Sequence, residues 1–262
     1  MLKFSANISI MFQEFPVLER LKAAAEAGFK AVEIWFPYDI PAAEMKEQLQ
    51  KHHLLCVGMN SPSGNAAAGD WGLAADPARH DEFMASVRQA MAYAQAIDCP
   101  KVHVMAGVAP PSLSAADAWE VYGNNIKAAC AIAQDHGRQV LIEPLNALDR
   151  PSYLLTRQAQ AIDLIRALNC GNLQIMLDLY HVQRGEGNLV ERMRASMPFA
   201  GHIQIADVPG RHEPGTGEVN FSFVFTEIER LGYKGWIGCE YTPLGATTEG
   251  LGWRDRLAGS AA

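Results

Sequence analysis

Two kinds of apolar pattern alternate along the chain. In short runs the apolar residues are continuous or fall at every second position, which is the period of a strand. In the longer stretches between them they return every three or four positions, which is the period of a helix. The first strand is expected over about Phe4 to Ser9. A helix follows from Val17 to Glu26, with Leu18, Leu21, Ala24 and Ala25 as its apolar stripe, and Ala27-Gly28-Phe29 stops it. Ala31 to Phe36 reads as the second strand, ended by Pro37, and Ala42 to His52 as a second amphipathic helix. Leu54 to Met59 is the third strand. Beyond it, Asn60 to about Ala78 keeps neither period and is rich in Gly, Ala and Asp. A loop of that length in a compact domain is usually a lid or a binding loop, and Trp71 is the residue expected to anchor it.

The second half repeats the scheme. Arg79 to Ile97 predicts a helix, closed by Asp98-Cys99-Pro100 before a fourth strand from Lys101 to Gly107, and Ala115 to Asp135 predicts the next helix. Strand five ends at Glu143, helix five spans about Arg157 to Leu168, and strand six ends at Asp178. A helix over roughly Leu189 to Ser196 leads to strand seven, Gly201 to Asp207. Phe221 to Leu231 is the next helix, strand eight ends at Glu240, and a last short helix lies between Thr247 and Leu257. Eight strand-helix alternations without a linker, low-complexity tract or solenoid repeat predict a single α/β domain over residues 1–262. The expected architecture is a closed (β/α)8 TIM barrel and not an open doubly wound sheet.

Composition narrows the partners. At 262 residues and 49% hydrophobic, the chain suits one such barrel. Its 22 basic and 29 acidic residues leave a formal charge of -7 with no basic run, so a phosphate backbone meets a repulsive field and nucleic acid is not an expected partner. The five cysteines, Cys56, Cys99, Cys130, Cys170 and Cys239, show no CxxC spacing and suit reduced cytosolic thiols. No apolar run is long enough to span a membrane, and the chain opens directly with strand-like alternation. A cytoplasmic protein without a membrane partner is expected; its oligomeric state stays open, homo-oligomers included.

Strand ends from distant parts of a barrel sequence meet on one face. Glu143, Asp178, Gln204 and Glu240 stand at or near four such ends, roughly 26 to 36 residues apart, about one strand-helix unit. Together they offer four side-chain oxygen donors, the set a hard divalent cation prefers, and without a cation their carboxylates would repel one another. With no imidazole among them the set favours Mg²⁺ or Mn²⁺ over zinc or cobalt. His181, three residues past Asp178, is placed to donate to a substrate oxygen, and Arg211, in the loop after Gln204, offers the forked donor that suits a carboxylate. Asn7, Glu33, Asn60 and His103 also lie near strand ends, where packing and supporting roles are commoner. Gly215-Thr216-Gly217 has part of a phosphate cradle but opens no helix, so a loop turn is expected. No motif for acyl transfer is present. His212, Glu213 and Glu218 receive no role from the sequence.

Six stretches together resemble the hydroxypyruvate isomerase family, a branch of the xylose isomerase-like barrels. They are Phe4-Ser5-Ala6-Asn7-Ile8-Ser9, Leu141-Ile142-Glu143-Pro144-Leu145-Asn146, Leu177-Asp178-Leu179-Tyr180-His181, Gly201-His202-Ile203-Gln204-Ile205-Ala206-Asp207, Glu213-Pro214-Gly215-Thr216-Gly217-Glu218 and Gly235-Trp236-Ile237-Gly238-Cys239-Glu240-Tyr241. The resemblance covers nearly the whole chain. It implies conversion of hydroxypyruvate to tartronate semialdehyde through an enediolate, with Glu143 and Glu240 as the acid/base pair. It also implies a divalent metal on Glu143, Asp178, Gln204 and Glu240, with Gln204 where many of the wider barrels carry a histidine. A near relative in the family isomerises 2-oxo-tetronate, so the reaction type is expected more firmly than which small hydroxy-oxo acid is the substrate. A sugar epimerase, a metal-dependent phosphodiesterase or abasic-site nuclease, and a non-catalytic sugar-acid binder are the alternatives.

Overall fold

Eight parallel strands pair in chain order, and the last returns to the first to close the barrel. The computed structural model describes residues 2–258. The strands are β1 (Lys3–Asn7), β2 (Ala31–Ile34), β3 (Leu55–Asn60), β4 (Lys101–His103), β5 (Gln139–Ile142), β6 (Leu173–Asp178), β7 (Ala200–Ile205) and β8 (Trp236–Cys239). The helices are α1 (Val17–Glu26), α2 (Ala42–Lys51), α3 (His80–Ala96), α4 (Ala115–Asp135), α5 (Gln158–Leu168), α6 (Leu179–Gly185), α7 (Leu189–Ser196), α8 (Phe221–Arg230) and α9 (Thr247–Gly250). Helices cover the outer face of the sheet and side chains fill its interior, so most strand residues are buried and the strands read as nearly continuous apolar runs. Among the described residues no helix is long and apolar enough to cross a membrane.

Register decides what converges. Asp178 pairs with Gln204, Gln204 with Gly238, Asn7 with Glu33 and Asn60 with His103. The polar residues of six strands are therefore lifted to the end of the barrel where the strands finish. Beyond β8 the chain packs back on the barrel: Trp253 is fully buried, edge-on to Phe4 at 5.1 Å and stacked with Phe225 of α8 at 5.9 Å.

Strands one, two and seven each end two residues earlier than expected, and other segments depart further. The fourth strand stops at His103 and not at Gly107, because the loop after β3 crosses here: Gly72 bridges Ala106, and a Cβ on Gly107 would lie 2.2 Å from the Gly72 carbonyl oxygen. That loop contains two short 3-10 turns, Ala66–Ala68 and Pro77–Arg79, the second capped by Asp76, so α3 begins at His80 rather than Arg79. A helix that the pattern did not predict, α6, starts directly at the end of β6. Asp178 accepts the Tyr180 N–H at 2.8 Å, and Leu179, Tyr180, His181 and Val182 are all buried, so the short helix has no amphipathic period to read. The final helix is one turn, α9, followed by a wider turn over Arg254–Ala258.

Candidate active site

Asp178 is the last residue of β6, Gln204 lies inside β7, and Glu143 and Glu240 directly follow β5 and β8. All four are buried. Gln204 organises one side of the cluster: its Nε2 donates to Glu240 Oε2 and, at 2.7 Å, to Glu33 Oε2. Asn7 Nδ2 donates to Glu240 Oε2 at 3.0 Å. Arg211 closes the other side, its Nη2 lying 2.6 Å from Glu240 Oε1 and 3.3 Å from Asp178 Oδ2. Glu143 Oε1 and Gln204 Oε1 are buried with no hydrogen-bond partner among the described residues.

The sequence treated Glu33 as one of several strand-end residues, but the structure puts it at the centre of the barrel floor. Ser5 Oγ donates to its Oε1 at 2.6 Å, His202 Nε2 lies 3.0 Å from the same oxygen, and Gln204 holds the other. Gly238 makes the room, since a Cβ there would sit 2.1 Å from Glu33 Oε1. Because both hydrogens of the Gln204 amide face carboxylates, its oxygen is the atom left over for anything bound in the cluster. A lone glutamate inside the strand Ala31-Val32-Glu33-Ile34 was the signal available in the sequence.

Charge is costly here. Burial, reinforced by Asp178 and Glu33 and opposed by Arg211, pushes Glu240 up to about 8. Burial and the repulsion of Glu240 and Asp178 raise Glu143 well above the ordinary range. Burial also raises Asp178, despite Arg211 and the helical N–H groups it accepts. Glu33 goes the other way: burial works against its charge, yet His202, Ser5 and Gln204 outweigh it and hold its pKa below the usual value. Four carboxylates facing one guanidinium, three of them with raised pKa, and two orphaned oxygens are what a cation site looks like before its charge is counted. The donors are all oxygen. The residues therefore fit a hard divalent cation held by Glu143, Asp178, Gln204 and Glu240.

His181 is close enough to be mistaken for a ligand: one atom each of Glu143, Asp178 and His181 lie within 4.8 Å of one another. Its other nitrogen decides the question. Nδ1 accepts the backbone N–H of Asn146 at 3.1 Å, and a backbone amide can only donate, so the ring proton is on Nε2. Burial, and next the Arg211 charge, hold His181 far below its ordinary pKa, so it is a neutral donor, with Nε2 3.6 Å from Asp178 Oδ2. His103 is likewise neutral, its pKa pushed down to about 3 by burial, 3.4 Å from Glu143 without a hydrogen bond to it.

The loop that carries Arg211 is built on Asp207. Its Oδ1 accepts the N–H groups of Val208 and Val219, and its Oδ2 those of Gly215 and Gly217, at 2.8 to 3.1 Å. The glycine N–H groups that resemble a phosphate cradle thus bind the protein's own carboxylate, and the stretch is a loop turn. Glu213 is buried and accepts the Leu244 N–H, while Glu218 meets Gln183 on the surface and His212 Nδ1 lies 2.8 Å from the Thr242 carbonyl. These three frame the loop. Arg211 itself takes a left-handed backbone, φ 56, which turns its side chain inward under Tyr180.

A family model described as a xylose isomerase-like TIM barrel matches residues 21–257. The chain is 43% identical to a 2-oxo-tetronate isomerase of Pectobacterium atrosepticum, covering 97% of each chain. It is 41% identical to a hydroxypyruvate isomerase of Escherichia coli, over 97% of this chain and 99% of that one. Among solved structures, that of a protein named AP endonuclease, family 2, from Brucella melitensis matches with a TM-score of 0.94 and 42% identity, over 98% of this chain and 99% of that one.

Proposed function

The chain belongs to the xylose isomerase-like TIM barrel family, its curated relatives are isomerases along nearly the full length, and from that premise we propose that it isomerises a small hydroxy-oxo acid with the help of Mg²⁺ or Mn²⁺. Hydroxypyruvate, giving tartronate semialdehyde, and its four-carbon analogue 2-oxo-tetronate are the two substrates the relatives' names support. The observation that carries the reading is a pair of buried carboxyls from different strands, Glu143 and Glu240, both with raised pKa, beside an all-oxygen donor set.

The reaction moves a hydrogen between adjacent carbons, so it needs a group that takes a proton from carbon and one that returns it. A carboxyl poised near neutrality does both well, and such groups typically contribute about 10² to 10⁴-fold. Glu240 is fixed through both oxygens by Asn7, Gln204 and Arg211, whereas Glu143 has one oxygen free. His181 donates its Nε2 proton to a substrate oxygen, and Arg211 brings positive charge to the negative charge that grows there. A divalent cation on Glu143, Asp178, Gln204 and Glu240 would supply Lewis-acid stabilisation of that same charge, worth several kcal/mol. Trp35, Met105, Leu145 and Met176 wall the pocket and keep water from the reacting carbons.

The name of the Brucella melitensis protein favours a second reading, an abasic-site nuclease. Against it stand the net charge of -7 and an all-oxygen donor set beside which His181 presents a proton and not a lone pair. The test is an NMR screen of chelated and metal-reloaded protein in heavy water against hydroxypyruvate, 2-oxo-tetronate and simple ketoses. Conversion of either acid with deuterium entering at the carbon beside the carbonyl is the expected result. No conversion and no label with any of them, alongside cleavage of an abasic duplex, would replace the isomerase reading with the nuclease one.

A further inference from the structure

Arg150 lies in the loop after β5, half-buried, and lines the same cavity as Glu143, His181 and Arg211. Its guanidinium lies flat on Trp71, Cζ 3.4 Å from the ring centroid, so it joins the loop after β3 to the loop after β5. Its one hydrogen bond among the described residues runs from Nη1 to the Asp149 carbonyl at 3.2 Å, and it forms no ion pair there. The neighbouring carboxylate is already taken: Asp149 accepts from Arg184 at 2.9 Å, Tyr180 at 2.7 Å and Asn146 at 3.1 Å. Arg211 has a buried Nε with no acceptor among the described residues. Two guanidiniums thus face one cavity with unspent N–H groups, and the charge of Arg211 adds to burial in lowering the Arg150 pKa. Like charges brought together in a half-buried pocket point to an anion that sits between them.

We propose that Arg150, held flat by Trp71, and the free Nε of Arg211 form the subsite for the substrate's carboxylate, and that this subsite makes the enzyme select acids over neutral sugars. The inference rests on the isomerase reading for the identity of the acid. The oxygen cluster on the barrel floor handles the carbonyl and hydroxyl groups that an acid and a neutral ketose share, and offers no discrimination between them. A flat guanidinium on an indole presents its remaining N–H groups in one plane, which matches a carboxylate, whereas lysine would keep the charge and lose the plane.

Wild type, Arg150→Gln, Arg150→Lys and Trp71→Leu, all metal-loaded, are compared in two ways. In steady-state kinetics, Arg150→Gln should raise KM for the acid by about tenfold to a hundredfold and change kcat by less than about threefold, the effect of one charged hydrogen-bonding group on binding. Arg150→Lys and Trp71→Leu should fall between. With dihydroxyacetone or erythrulose, KM should not move. In calorimetry, unreactive glycerate should bind wild type and lose affinity by a similar factor in Arg150→Gln. Equal KM changes for acid and ketose, or glycerate binding within twofold of wild type, overturn the subsite. If no acid is turned over by wild type while glycerate binding still depends on Arg150, the isomerase reading fails and the subsite stands.

Discussion

Chelated protein should lose stability as pH rises from about 7 to 8, and a divalent cation should abolish that loss. The reason lies in Glu240, whose pKa burial and neighbouring carboxylates raise from 4.5 to about 8. A carboxyl with a raised native pKa binds its proton more tightly folded than unfolded. Its contribution is therefore complete below the unfolded pKa and disappears as pH climbs through the folded one. Across that unit of pH the native group holds on average roughly three quarters of a proton that the unfolded chain has released, which is about 1 kcal/mol. Glu143 is raised in the same direction and acts with the same sign. For a chain of 262 residues the unfolding entropy is near 0.5 kcal/mol/K, so Glu240 alone should lower the midpoint by about 2 °C per pH unit. Asp178, also raised by burial, shares the sign, whereas groups shifted the other way act at lower pH. Carboxylates held low, such as Glu14, Glu33 and Asp149, act below about pH 5, and the neutral His103 and His181 exact their cost below about pH 6.5. Scanning calorimetry of EDTA-treated protein, with and without excess Mn²⁺, reads the difference. Equal slopes in the two series, or a metal-free midpoint that rises with pH, would refute the placement of these carboxyls around a cation.

Glu240→Gln should lower turnover by at least about 10²-fold while the fold survives, checked by deuterium exchange into substrate and by the unfolding midpoint; activity within about tenfold of the parent removes it from the acid/base pair. Gln204→His should shift the reactivation of chelated protein from Mg²⁺ and Mn²⁺ toward Co²⁺ and Zn²⁺, and unchanged preference would mean that Gln204 is no ligand. Gly217→Ala places a Cβ 2.0 Å from the Val208 carbonyl oxygen and 2.7 Å from Asp207 Oδ1, so the turn that carries Arg211 must shift. Its cost should be about 1 to 3 kcal/mol in unfolding stability, together with a KM for the acid raised at least about tenfold.

The barrel was legible because its two periods are clean. Val17–Glu26 and Ala115–Asp135 are helices over the expected residues, since an apolar stripe and a nearby Pro, Gly or Ser mark each end. What the pattern missed is set by contacts far away in sequence. The early end of β4 follows from Gly72 pressing on Gly107, and α6 from Asp178 capping a turn whose first four residues are all buried. Glu33 stood beside Asn7, Asn60 and His103 with only its place inside an apolar strand to mark it. What sets it apart is that Ser5, His202 and Gln204 surround it from other strands and Gly238 leaves its carboxylate room, relations that only strand register creates.

Residue type and proximity alone misjudge His181 and Arg150 in opposite directions. A histidine within 4.8 Å of two carboxylates looks like a third ligand, until a backbone N–H on Nδ1 commits the ring to donating from Nε2. An arginine beside an aspartate looks paired, until that aspartate proves to be shared among Arg184, Tyr180 and Asn146, and the guanidinium to be resting on an indole from another loop. In both cases the deciding observation is where the hydrogen bonds have already been used. A neutral donor and an unneutralised cation beside a buried cluster of carboxylates make a pocket with two ends, one suited to a cation and one to an anion. A small molecule with a carbonyl, a neighbouring hydroxyl and a carboxylate has the same division along its length, which is why a hydroxy-oxo acid suits this pocket better than either a neutral sugar or a phosphodiester.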